Sequence, residues 1–281
     1  MSLKTGNNIN FLEPVTELLN EDEIISQLDF MTTQSIGQLI VLAKTQSTNS
    51  YLLESSQHSS QSGVVCVAES QIKGRGRRGR SWVSPAGHNI YLSMTWRFGG
   101  DLTELSGLSL AVGLAIVRVL NNYGLSDLSL KWPNDVYCRG QKLAGILVEI
   151  ADTNANECLV VIGVGLNRWI GTAAADLINQ RWTDLFSLMG KRMPSRNQLI
   201  AKIIDQLINV IAQFENAGFA GLCDEWGQWD YLLGHHLVLV AGNQQISGTA
   251  CGVNRSGLLL IENEQGQQQA YAIGEVVLER Q

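Results

Sequence analysis

The sequence predicts an α+β domain followed by a small β-barrel, on three observations. Apolar runs of strand length come close together across short polar breaks, and a segment near residue 200 repeats its apolar residues at helical spacing. The last ~45 residues are short apolar runs punctuated by glycine. With 281 residues, 45% of them hydrophobic and 16% charged, the chain suffices for one to two domains with their own cores and is too apolar for disorder. A net charge of −6 argues against a nucleic-acid footprint over the whole molecule and leaves room for a local basic patch.

In chain order, Pro14 to Leu28 places Val15, Leu18, Leu19, Ile24, Ile25 and Leu28 among acidic residues, the pattern of one or two short amphipathic helices forming a lead-in. Gln38 to Ala43 and Gly63 to Glu69 are strand candidates, and the Ser/Gln stretch Ser55 to Ser62 between them reads as a solvated loop. Asn89 to Arg97 alternates strictly, with Ile90, Leu92, Met94 and Trp96 on one face. Asp101 and Glu104 are spaced as a capping box ahead of a helix over Leu105 to Leu120, apolar over more than one stripe and so packed on the sheet. Strands follow at Leu128 to Trp132, Leu143 to Ile150 and Cys158 to Leu166, the last two close enough for a hairpin. Ser195 and Gln198 form a second capping box, after which Leu199, Ile203, Leu207, Ile211 and Phe214 mark a helix that Gly218 stops. The closing runs are Leu237 to Ala241, Gln245 to Gly252, Leu258 to Ile261, Gln269 to Ile273 and Val276 to Leu278.

Several classes fall away. Met1 to Asn10 is polar, without the pattern of a secretory signal, and the weakly charged stretch Leu105 to Val117 falls short of the ~20 apolar residues a bilayer span needs. The expectation is a cytoplasmic protein with no membrane partner. Five dispersed cysteines without Cys-x-x-Cys suit reduced packing thiols, and the adjacent His235 and His236 do not put two ligands on one helix face, so no protein-held metal is expected.

The outlier is Gly74-Arg75-Gly76-Arg77-Arg78-Gly79-Arg80, which gathers four cations into seven positions of an acidic chain. Glycines let backbone amides approach a ligand, and guanidinium forks bind phosphate or carboxylate bidentately, so the loop suits an oligophosphate. A nucleic-acid or targeting patch is the other reading of such a run. Four like charges are expected to hold the loop apart until an anion neutralises them.

A second cluster, Lys131-Trp132-Pro133-Asn134-Asp135, precedes Lys142-Leu143-Ala144-Gly145-Ile146-Leu147-Val148-Glu149. Pro133 constrains a corner at which Asn134 and Asp135 face a pocket or serve only the turn. Lys142, leading an apolar strand, is placed to stabilise negative charge in a cleft. Ser47-Thr48-Asn49 reads as a helix N-cap whose polar groups also suit a ligand. Gly163-Val164-Gly165 inside an apolar strand permits close approach of a flat group, but no third glycine or helix follows to support a dinucleotide fold.

Together, Ser47-Thr48-Asn49, Gln71, the heptad, Trp82, Lys-Trp-Pro-Asn-Asp, the strand led by Lys142 and Gly-x-Gly-x-Asn closely resemble, in order, the bacterial biotin protein ligases (biotin–[acetyl-CoA-carboxylase] ligases) over residues 13 to 281. The resemblance implies a ligase domain related to class II aminoacyl-tRNA synthetases, a mixed sheet with helices, and then an SH3-like barrel. The implied divisions are a helical lead-in at 1–30, a catalytic domain at 31–232 and the barrel at 233–281.

The implied reaction uses ATP to convert biotin to biotinyl-5′-AMP, then passes the biotinyl group to a lysine of the biotin carboxyl carrier protein of acetyl-CoA carboxylase. The resemblance assigns catalysis to Lys142, Arg77 and Lys131. It assigns biotin to Ser47, Thr48, Asn49, Gln71, Gly74, Arg75, Gly76, Arg77, Lys142, Gly145 and Gly163, and the adenylate to Trp82, Lys131, Asn134 and Asn167. Mg²⁺ is implied as arriving with ATP. Lipoate ligases share the fold without the heptad. Bifunctional family members carry a preceding winged helix-turn-helix domain. With so few residues before Glu13, the expectation is a ligase without specific DNA binding, the alternative being a biotin-operon repressor whose first domain is missing from the chain. Family ligase domains also pair through sheet edges, so a homodimer stays open.

Overall fold

The computed structural model describes residues 16–57, 61–154 and 156–278. Pro14 and Val15 of the lead-in, residues 58–60 of the Ser/Gln stretch and residues 279–281 lie outside the described residues. The lead-in holds α1 (Glu21–Ser26), and α2 (Phe30–Ser35) begins only where the lead-in ends. Seven strands follow: β1 (Gln38–Leu42), β2 (Val64–Ala68), β3 (Ile90–Gly99), β4 (Leu128–Lys131), β5 (Asp135–Cys138), β6 (Gln141–Thr153) and β7 (Glu157–Leu166). They form one mixed sheet in the order β1-β2-β3-β7-β6-β5-β4, in which β1 and β2 run parallel and every other pair antiparallel. The helices set around it are α3 (Thr48–Ser56), α4 (Leu108–Asn122), α5 (Thr172–Ala175), α6 (Leu185–Met189), α7 (Arg196–Ala217) and α8 (Cys223–Gly227). The glycine-punctuated runs become β8 (His236–Ala241), β9 (Gln244–Val253), β10 (Leu259–Glu262), β11 (Gln268–Tyr271) and β12 (Glu275–Leu278), an antiparallel sheet ordered β11-β10-β9-β8-β12.

Strand alternation sorts the sheet's two faces. Val65, Val67, Leu92, Met94, Ile162 and Val164 enter the main core with α4 and α7, while Cys66 and Val161 pack with Leu52 of α3 on the other face. Burying a side chain such as Leu52 contributes about 1.5–3 kcal/mol. The α7 cap forms as expected, Ser195 accepting from the Gln198 amide at 3.1 Å, with Gly218 at the other end at φ 60°.

Four local expectations change. Asp101 caps a 3₁₀ turn at Leu102–Leu105, and α4 begins only at Leu108, after Gly107 at φ 82°. A Cβ on Gly107 would lie 2.6 Å from the Phe219 ring, so the chain turns where the two segments meet. Counting that turn, the helical stretch Leu102–Asn122 is 21 residues, long and apolar enough by composition to cross a bilayer and longer than the sequence reading allowed. It lies against the sheet and α7 as a core helix. Strand β5 was not anticipated, because four residues with Val136 and Cys138 buried are too short to show a period. Helix α3 runs on through Ser55 and Ser56, whose hydroxyls donate to the Tyr51 and Leu52 carbonyls.

The lead-in is clamped by charge. The fully buried Arg196 donates to Glu69 Oε2 at 2.6 Å, the Glu17 carbonyl at 2.6 Å and the Asn89 carbonyl at 3.0 Å. Glu17 accepts in return from the Arg196 amide at 2.8 Å and from Arg168 at 3.3 Å. A buried guanidinium is tolerated because both its terminal nitrogens meet acceptors, a carboxylate among them. The two sheets are joined near the sequence-predicted site, where Trp132 Nε1 donates to the Gly257 carbonyl at 3.0 Å and Lys131 Nζ to the Val276 carbonyl at 3.2 Å. All five thiols are free, and burial pushes that of Cys66 up to about 12.

Candidate active site

Register brings the motifs together. Tyr91, Gly165, Gly145, Asp135 and Lys131 stand opposite one another in β3, β7, β6, β5 and β4, making one row across five strands. Residues in such a row share a face, so the two glycines leave a bare floor between Tyr91 on one bank and the Asp135–Lys131 pair on the other. The neighbouring row is Ser93, Gly163 and Leu147. These glycines serve space. A Cβ at Gly165 would lie 2.5 Å from the Trp82 ring, one at Gly145 3.0 Å from it, and one at Gly163 would run into the Asn49 amide oxygen. The flat group against the Gly-x-Gly strand is therefore the protein's own Trp82 indole.

Helix α3 starts over this floor with Ser47 at its N-cap, but the Ser47 hydroxyl makes no capping bond. Gln71 takes that role: its Oε1 accepts from the Thr48 amide at 2.8 Å, and its Nε2 donates to Ser84 Oγ at 2.9 Å. Buried Ser93 places its Oγ 2.6 Å from Asn49 Oδ1 and 2.7 Å from Thr48 Oγ1. Asn49 Nδ2 donates to the Leu147 carbonyl at 3.2 Å and Glu149 Oε2 at 3.0 Å, so both ends of this amide are held by protein.

The heptad forms a short hairpin, with the Gly76 amide donating to the Arg80 carbonyl at 2.7 Å and the Trp82 amide to the Gly74 carbonyl at 2.8 Å. Like-charge repulsion does not splay it, because acceptors intervene at each arginine. Arg75 pairs with Glu149 at 2.6 Å, Arg77 donates to Asn134 Oδ1 at 3.1 Å, and Arg78 and Arg80 pair with Glu275 of β12. Asn134 is itself tied to β6, its Nδ2 donating to the Ile146 carbonyl at 2.8 Å. Lys142 Nζ pairs with Asp135 Oδ1 at 2.8 Å and stands 5.4 Å from the centre of the Trp82 ring.

Burial, with Arg78 nearby, pulls Arg77 below its usual range, and burial likewise pulls Lys131 down. The hydrogen bond from Arg80 holds Glu275 below the usual carboxylate range.

One cavity is lined by Ser47, Thr48, Asn49, Gln71, Arg75, Gly76, Arg77, Trp82, Lys131, Asn134, Lys142, Gly145 and Gly163. Two sequence-predicted residues lie outside its lining. Gly74 sits beneath Ser84 and Trp82, and Asn167 donates to the Thr183 carbonyl at 3.1 Å behind the start of β6. Asp135 and Glu149 went unassigned although they sit within the motifs, Ser93 because only register brings it to Asn49, and Glu275 because it lies 195 residues from Arg80. Three fixed cations around a glycine floor suit charge developing on carboxylate and phosphate oxygens. Among the described residues no group of three or more acidic, His or Cys side chains is placed to hold a metal ion.

Residues 41–167 match the model of the biotin/lipoate A/B protein ligase family. The chain is 39% identical over 259 residues to the bifunctional ligase/repressor BirA of Salmonella typhimurium, covering 92% of this chain and 78% of that protein. It is 37% identical over 231 residues to the biotin–[acetyl-CoA-carboxylase] ligase of Mycobacterium tuberculosis, covering 80% and 83%. The biotin protein ligase from Aquifex aeolicus, solved in complex with biotin and ATP, superposes with a TM-score of 0.71 at 29% identity, over 88% of this chain and all of that one. The mixed sheet with its helices is thus the fold of the solved biotin protein ligases, and the chain belongs to the biotin/lipoate A/B protein ligase family, among its bacterial biotin protein ligases.

Proposed function

We propose that the chain is a biotin protein ligase: it joins biotin to ATP as biotinyl-5′-AMP with release of pyrophosphate, then transfers the biotinyl group to a lysine of the biotin carboxyl carrier protein. The observation that carries this reading is the convergence of Arg77, Lys131 and Lys142 over the floor made by Gly145 and Gly165. In the first step the biotin carboxylate attacks the α-phosphorus, and Lys142 neutralises charge on both partners. Arg77 and Lys131 neutralise the phosphates, Mg²⁺ comes with ATP as part of the substrate, and Asn134 faces the nucleotide side, while Asn167 braces the start of β6 from behind. Ser47, Thr48, Asn49, Gln71, Gly163 and the backbone from Arg75 to Arg77 hold the biotin ring and chain. Trp82 leaves the glycine floor to the ligand and packs on adenine. Positioning plus charge stabilisation carries the rate, and the heptad keeps water from the mixed anhydride.

The division at residues 31–232 and 233–281, an SH3-like character for the second unit and kinship of the first with class II synthetases belong to the same reading, as does a cytoplasmic setting. Engagement of the heptad arginines by Glu149, Asn134 and Glu275 favours a ligand loop over a DNA contact. The test is incubation with biotin, α-labelled ATP and a carrier domain. Labelled adenylate, then AMP and a biotinylated lysine, are expected; no adenylate with biotin, or preference for lipoate, sinks the reading.

A further inference from the structure

We propose that Glu149 is a positioning residue for the heptad: its carboxylate anchors Arg75, and with it the root of the loop, to the N-terminus of α3. The proposal rests on the ligase reading above and adds to it a residue outside the motif roles. Glu149 Oε1 accepts from Arg75 Nη2 at 2.6 Å and Oε2 from Asn49 Nδ2 at 3.0 Å, while Arg75 Nη1 reaches Ser50 Oγ at 3.3 Å. One carboxylate on β6 thus joins the loop to α3. The two sides of the anchor differ in stiffness. Asn49 is 4% exposed and held by Leu147 and Ser93, whereas the Arg75 side chain is 42% exposed and has the loop to move with.

The geometry calls for glutamate. Both neighbours are donors, so two acceptor oxygens are needed; glutamine turns an NH₂ toward one of them, and aspartate is a methylene too short to span the pair. Displacement of Arg75 carries into the site, because Arg75 bridges Ser81 across the hairpin and the next residue is Trp82. Glu149 therefore sets where Arg77 and Trp82 stand without touching a substrate itself.

The test compares retention of preformed biotinyl-adenylate on a filter, with thermal melts in parallel, for the whole chain and for E149A, E149Q, R75A and the E149A/R75A double variant. E149A and R75A are each expected to release the adenylate about fivefold faster, the upper end of what one partly exposed ion pair contributes. The double variant should release it no faster than either single one, because both remove one contact. E149Q, which keeps one acceptor, should fall between. Melting temperatures should move by no more than about 4 °C, a range that a merely structural role would exceed. Normal retention in E149A, or single effects that multiply in the double variant, overturns the proposal. If E149A fails to fold, R75A and E149Q carry the test, and normal retention in both overturns it. A wild-type chain that makes no adenylate refutes the ligase reading instead, before any variant is compared.

Discussion

The floor of the site and the loop above it are built by opposite means. The floor lies where β6 and β7 are hydrogen-bonded on both sides within the sheet, and Gly145, Gly163 and Gly165 shape it by omitting side chains. The loop, residues 74–82, rests on arginine–glutamate pairs whose side chains are between 20% and 63% exposed. Close-packed interior tolerates little added volume, whereas an exposed ion pair contributes roughly 0–1 kcal/mol. On the proposed reading the contrast is a division of labour: the floor selects what fits by shape, and the loop governs how long it stays by charge.

The largest effect tests the floor's rim. Lys142→Ala should lower adenylate formation by about a hundredfold or more, the scale of losing one charge-stabilising donor. Its stability loss should stay near 1–3 kcal/mol, from the Asp135 partner left behind. A rate that survives while the protein melts early would make Lys142 a structural residue.

Gly163→Ala attacks the floor itself. The added methyl meets the Asn49 amide oxygen, which Ser93 holds in place, so overpacking should cost about 1–3 kcal/mol in denaturant unfolding. An unchanged midpoint would mean that the floor yields as readily as the loop, and the contrast fails.

Arg77→Ala probes the loop. Its single hydrogen bond to Asn134 predicts little change in the unfolding midpoint, but adenylate escape in a filter assay should quicken about tenfold. Retention equal to wild type removes the loop's covering role.

The smallest effect is a pH limb at the bank between them. Burial lowers the Lys131 pKa, so the folded state sheds this proton at lower pH than the unfolded chain. The cost of burying the charge is present below the folded pKa and fades as pH rises through it. Activity runs the other way, since the neutral amine no longer offsets phosphate charge. Adenylate formation should therefore decline on the alkaline side below the usual lysine range, and Lys131→Arg should move that limb upward. A limb that stays put assigns it to another group.

Much of the site was legible before the fold, for a chemical reason. Arginines and glycines crowded into one heptad of an acidic chain, and a lysine leading an apolar strand, are locally improbable, so they announce themselves without knowledge of their neighbours. Gln71 was legible as a residue but not in its part, since the α3 cap it supplies comes from 23 residues downstream of Thr48. Glu149 and Ser93 resemble ordinary strand residues until register sets them beside Asn49. Strand β5 was too short for its period to register, and Gly107, packed against Phe219 far along the chain, separates the turn that Asp101 caps from the helix expected to follow it.

By itself the sequence determined the strands of the mixed sheet other than β5, the amphipathic run of α7, the five strands near the C-terminus and the cationic loop, because periodicity, capping and charge density act over a few residues. Only the tertiary structure decided that Tyr91, Gly165, Gly145, Asp135 and Lys131 form one row, that Glu149 and Glu275 grip opposite ends of the loop, and that Trp82 lies on the glycines. Those outcomes depend on strand register and on contacts between distant segments, which exist only once the chain has closed on itself and buried its core.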